Sequence, residues 1–142
     1  MRIILMTSMV IENIFNYQKI GTEFLQKYYN MIGININFTD CFYEVGTLCT
    51  IRLVQGQKVE FYEMTGYQAF HDRMSKMNIT SIKIQNPSLS SQPYPRDKDS
   101  ILITSQGMAE IGQTKCTIFL TFLIHGDQMI QKISNQIMEI YL

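Results

Sequence analysis

The spacing of apolar and polar positions changes about half-way along the chain. In "YQKIGTEFLQKYYNMI", Tyr17 to Ile32, the apolar residues Ile20, Phe24, Leu25, Tyr28 and Ile32 fall three and four positions apart. That spacing builds one apolar face of a helix, and Gln18, Lys19, Glu23, Gln26 and Lys27 cover the other side. The pattern extends back towards Val10, and Gly33 stands where a left-handed cap would end it. Gly21, inside the helix, offers room for a strand to approach closely. "INFTDCFYEVG" predicts a short second helix over Thr39 to Tyr43, ended near Gly46, with Thr39 or Asp40 as its N-cap. "TLCTIRL" then alternates as a strand does: Leu48, Thr50 and Arg52 face one way, Cys49, Ile51 and Leu53 the other. A turn at Gln55-Gly56 leads to a return strand, Lys58 to Tyr62, and Gly66 opens a third helix that carries Phe70, Met74 and Met77 on one face.

From Ile79 onward the period is two. "ITSIKI", "ILITSQGMAEI", "TKCTIFLTFLI" and "QMIQKISNQIMEIYL" read as strands. Gly112 turns the second into the third, and "HGD" predicts a two-residue hairpin at Gly126-Asp127. "QNPSLSSQPYPRDKDS" holds all three prolines and predicts a surface loop, with Pro87 to Ser100 long for a compact domain. The order gives an α+β layout: three N-terminal helices packed on a strongly bent, mainly antiparallel sheet. No repeat or linker divides residues 1–142, so they read as a single domain, with 1–12 as a possible N-terminal extension.

One strand adds a constraint. "TKCTIFLTFLI" places Cys116, Ile118, Leu120, Phe122 and Ile124 on one face and Thr117, Phe119, Thr121 and Leu123 on the other. Apolar groups on both faces mean that both are covered. The helices supply one cover, and a second subunit is the natural candidate for the other. Phe119 and Thr121, with Met129 and Met138 of the last strand, are the candidate residues of that interface.

Charge and chemistry narrow the functions. Lys plus Arg and Asp plus Glu both number 12, and the basic residues are scattered, so the footprint of direct nucleic-acid binding is missing. "MRIILMTSMVIENIF" has an apolar run broken by Thr7 and Ser8 and no small-x-small cleavage site, which predicts an intracellular chain without a membrane span. Cys41, Cys49 and Cys116 form no C-x-x-C or Cys/His cluster, so no metal site or cofactor is expected. His71 and Asp72 are sequence neighbours and diverge by about 100° on a helix. His125 falls at a hairpin tip. For acid–base chemistry inside the fold, Asp40 is the candidate carboxylate, with Tyr28, Tyr29 and Tyr43 around it.

Several strings together resemble the nuclear transport factor 2 family. "YQKIGTEFLQKYY" is similar to its first helix, "MTGYQAFHDRMSKM" to the helix after its first hairpin, and "SNQIMEIYL" to its closing strand. The resemblance spans about Tyr17 to Tyr141. It implies a cone-shaped half-barrel that dimerises, with itself or a related domain, through the open sheet face. It also implies a non-enzymatic role in nucleocytoplasmic transport or mRNA export, in the nucleus, nuclear pore and cytoplasm, with contact to nucleoporin Phe-Gly repeats near Tyr17. Arg52 stands at or near the position of the family's acidic, Ran-contacting cavity residue. Arg in place of an acid turns attraction for a lysine into repulsion, so the resemblance does not carry binding of Ran-GDP over to this chain. Cone-shaped relatives also include dehydratases and isomerases, so the alternative is a small-molecule enzyme or binder that uses the cone cavity.

Overall fold

The first helix is longer than its sequence pattern indicates. In the computed structural model α1 covers Arg2–Ile34 and is continuous through the stretch before Val10. The structure describes the backbone of residues 2–94, 99–126 and 131–142, and side chains from residue 16 onward within those ranges. Gly33 lies inside α1 and is not its left-handed cap. The exit is made by Asn35 instead. Its N–H donates to the Met31 carbonyl at 3.0 Å. Its side-chain oxygen accepts from the Asn37 N–H at 2.9 Å, which caps a 3-10 helix over Ile36–Phe42. Neither Thr39 nor Asp40 caps it: Thr39 is buried and donates to the Ile36 carbonyl, and Asp40 is exposed.

Strand β1 (Tyr43–Gln55) follows at once and turns at Gly56 into β2 (Lys58–Thr65). Helix α2 (Tyr67–Lys76) comes next. Strands β3 (Lys83–Pro93), β4 (Ser100–Ile111), β5 (Thr114–Gly126) and β6 (Gln131–Tyr141) complete one six-stranded open sheet in the order β2-β1-β6-β5-β4-β3. All neighbours are antiparallel except β1 and β6, which run parallel. The expected α+β class and element order hold. Register shifts fall between Tyr43 and Leu48, Gln85 and Ser88, and Leu123 and Ile124. Such irregularities bend a sheet and increase its twist.

Two expectations are corrected. The proline-bearing stretch is not a loop from Pro87 onward, because β3 continues to Pro93. β3 is an outer strand, and Asn86 (φ 48°) and Pro87 sit in its bulge, so the missing N–H removes no ladder bond. Gly126 pairs with Gln131, so the β5–β6 connection is wider than a two-residue turn, and Asp127 lies outside the described residues.

Helix α1 fills the inner face of the sheet. Phe24, Leu25, Tyr28 and Ile32 are buried, as the helical stripe predicts, against a sheet face that includes Ile103, Leu120 and Phe122. The Tyr28 and Phe24 rings meet Phe122 with centroids 4.9 Å and 5.4 Å apart. Each such side chain contributes about 1.5–3 kcal/mol by leaving water. Gly21 sets the approach: a Cβ there would lie 2.5 Å from Ser91 Oγ and 2.9 Å from Ser91 Cβ. The Ser91 hydroxyl fills that space and donates to the Tyr17 carbonyl at 2.9 Å. Ala gains roughly 1 kcal/mol over Gly in helix propensity, but the overlap costs about 1–3 kcal/mol. Gly21→Ala is therefore expected to lower the thermal midpoint, and Gly21→Ala with Ser91→Gly to recover most of the loss. A midpoint raised by Gly21→Ala alone would contradict the close approach.

Candidate functional site: the open sheet face

The centre of the cone is occupied by the protein's own side chains. Tyr43 donates its hydroxyl to Gln136 Oε1, and Gln136 Nε2 donates to the Tyr28 hydroxyl at 3.2 Å. Tyr28 closes the ring on Tyr43 at 2.7 Å. With Tyr43's proton on Gln136, Tyr28 is the donor of that last bond, so each hydroxyl donates once and accepts once. All three residues are buried. Burial pushes the Tyr28 and Tyr43 phenols well above their ordinary range. Tyr29 is pushed up to about 12 by burial, against the opposing effect of its 2.5 Å bond to Ser105 Oγ. A phenol held neutral in this way is a structural donor rather than a base. Asp40 does not join this group, since it is exposed on the 3-10 helix while Tyr28 is enclosed. The expected pairing of Asp40 with Tyr28 in one cavity is therefore not formed.

The histidines also sit apart from the centre. His71 lies 3.9 Å from Asp72 on α2. His125 Nε2 is 2.8 Å from Glu44 Oε1, a contact between β5 and β1 that the sequence reading missed. Among the described residues no group of three or more His, Cys, Asp or Glu side chains is arranged to hold a metal ion. Among them too, no helix is long and apolar enough to cross a membrane.

The other face of the sheet is open. Leu48 is 54% exposed, Phe61 58%, Met108 55% and Ile137 42%. Phe119 and Thr121 lie on this face, half-buried, as expected. Met138 does not: it is fully buried on the inner face, where its register with Leu120 places it, and its neighbours Ile137 and Glu139 take the open face. Met129 lies outside the described residues. Arg52 is on the open face too, because Ile51 on one side of it and Leu53 on the other turn inward. It does not line the cone interior as the family position would. Its Nη1 donates to Glu139 Oε2 at 3.1 Å and to the Tyr141 hydroxyl at 3.0 Å, while the Tyr141 ring meets Phe119 edge-on at 5.4 Å. Sequence reasoning missed Glu139 and Tyr141 as partners of Arg52. Exposed pairs of this kind contribute about 0–1 kcal/mol, so the cluster adds little to stability by itself. Tyr17 is half-buried on α1, against the opposite side of the sheet, so the structure does not bring it together with the open face.

No protein-family model and no curated protein matches the chain. Solved structures do. A chain of the yeast deubiquitinase Ubp3–Bre5 cofactor complex matches with TM-score 0.60 and 21% identity, over 88% of this chain and 96% of that one. A chain of the Candida albicans Mtr2–Mex67 M domain complex matches with TM-score 0.66 and 12% identity, over 87% and 94%. A chain of naphthalene 1,2-dioxygenase with indole in its active site gives 0.59 and 11%, over 95% and 86%. A nuclear transport factor 2-like protein of unknown function from Methylobacillus flagellatus gives 0.50 and 16%, over 87% and 91%. The fold of this chain is thus the nuclear transport factor 2-like fold, a scaffold that these structures use in binding assemblies and in an enzyme alike.

The buried phenols make stability depend on alkaline pH. Their folded-state pKa lies above the ordinary 10.0, so above that pH the unfolded chain loses protons that the folded chain keeps. The contribution is full below pH 10.0 and is lost as pH rises towards about 12, where Tyr29 titrates. Denaturant midpoints are expected to fall over that window, with phenolate absorbance from Tyr28 and Tyr43 appearing only on unfolding. Smooth titration of every tyrosine near the ordinary value, with the fold intact, would contradict the closed ring.

Proposed function

We propose that this protein is a non-enzymatic binding protein of the nucleocytoplasmic transport class, in protein import or mRNA export, that works as a homodimer or as a heterodimer with a related domain. The observation that carries the reading is the open sheet face, with Leu48, Phe61, Met108 and Ile137 largely exposed on it. A bare apolar surface of this kind is characteristic of an interface. The complexes named for two of the neighbours, Ubp3 with Bre5 and Mtr2 with the Mex67 M domain, support association as the use of this fold. The alternative, an enzyme or small-molecule binder working from the cone interior, draws on the dioxygenase neighbour. It is the weaker reading because Tyr28, Tyr43 and Gln136 are closed on one another.

Contact with nucleoporin Phe-Gly repeats belongs to α1 at Tyr17, whose half-exposed ring offers a flat apolar surface to a Phe side chain. Ran-GDP is not an expected partner, since Arg52 replaces the acid and is engaged with Glu139. The protein then resides at the nuclear pore and on both sides of it.

Light scattering after gel filtration tests the interface. The wild type is expected to run as a dimer, and Ile137→Lys as a monomer with an unchanged fold. A wild-type monomer at high micromolar concentration would sink the reading unless a related domain restores the pair. In a pull-down on Phe-Gly repeat peptide, the wild type should be retained and Tyr17→Ala released. Equal retention would remove Tyr17 from the site, and tight capture on GDP-loaded Ran would overturn the assignment made from Arg52.

A further inference from the structure

One row of side chains across the open face is complementary to its own reverse, with ring set against ring and each charge against its opposite. Phe61 of β2 is paired with Arg52 of β1, Arg52 with Glu139 of β6, and Glu139 with Phe119 of β5. The row runs aromatic, cation, anion, aromatic, and its two central charges are 3.1 Å apart with side chains 40% and 31% exposed. A two-fold axis in the plane of the face, parallel to β1 and β6 and midway between them, exchanges the ends of this row. It carries Arg52 of one copy over Glu139 of the other, and Phe61 of one over Phe119 of the other.

The neighbouring rows tolerate the same operation. One reads Val59, Val54, Tyr141, Thr117, and the axis sets Val54 over Tyr141 and Val59 over Thr117. The other reads Glu63, Thr50, Ile137, Thr121, and the axis sets Thr50 over Ile137 and Glu63 over Thr121. No like charges meet in any of the three rows. Self-complementarity of this kind is what an isologous contact requires. Covering the Arg52–Glu139 pair with a purely apolar partner would strip its water and return nothing. A second copy instead returns an opposite charge to each member.

We infer that the occupant of the open face is a second copy of this chain, docked about that axis so that Arg52 and Glu139 of the two copies form a four-charge cluster of alternating sign. The inference rests on the reading of the open face as an interface and adds the partner's identity and the register.

A charge exchange tests it. In Arg52→Glu the centre of the dimer holds four acids, and in Glu139→Arg four bases, so each variant alone is expected to lose the dimer at a concentration where the wild type is dimeric. An equimolar mixture of the two is expected to recover it as a one-to-one heterodimer in native mass spectrometry. The double variant Arg52→Glu/Glu139→Arg keeps its internal pair, so it should dimerise with itself yet form no mixed dimer with the wild type. Circular dichroism checks that each variant is folded. Should the single variants unfold, the double variant's failure to exchange with wild type still decides. Single variants that dimerise as the wild type does, a folded mixture that stays monomeric, or free exchange between double variant and wild type would each overturn the register while leaving the interface standing. A monomeric wild type would overturn the second copy as the occupant, and failure of a related domain to pair with that monomer would remove the interface itself.

Discussion

Strand β5 is apolar on both faces, and the rest of the structure answers to that. Its inner side chains, Ile118, Leu120, Phe122 and Ile124, are fully or almost fully buried under α1 and its neighbours. Its outer ones, Thr117, Phe119, Thr121 and Leu123, are only half-covered. A strand of this composition is stable between two layers, and the chain provides one. α1 reaches the inner layer because Gly21 lets it close on Ser91. In the proposed dimer a second molecule supplies the outer layer. Fold, core and proposed function are three consequences of one two-sided strand.

The inner layer also bears on chemistry. Phe24, Phe42, Phe122 and the Tyr28–Tyr43–Gln136 ring fill the interior of the cone. Polar groups in that position are satisfied by one another, which removes the cost of burying them and fixes their rotamers. The interior is thus closed on itself, and the proposed function draws instead on the open sheet face and the exposed side of α1.

Local patterns were legible and long-range pairings were not. The helical stripe from Ile20 to Ile32, the helix after Gly66 and the alternation in β5 depend on residues a few positions apart, and the structure bears them out. The role of Gly21 was legible for the same reason. Met138 was placed on the wrong face because register is set by the distant partner Leu120, and a shift of one residue turns a side chain over. The Arg52–Glu139 contact joins residues in β1 and β6, the parallel pair formed late in the chain, and no local signal announces it. The proline-rich stretch misled because composition reports turns without knowing that an outer strand accepts proline at a bulge.

The claim at the centre is that the open face is covered in solution, and solvent paramagnetic relaxation of methyl groups measures this directly. With a soluble nitroxide, the methyls of Leu48 and Ile137 should be protected nearly as well as Ile51, which is fully buried, in spite of their own exposure in the single chain. Val45, 95% exposed, sets the scale for a bare methyl. Leu48 and Ile137 relaxing as fast as Val45 at a concentration of hundreds of micromolar would show the face bare and contradict the account.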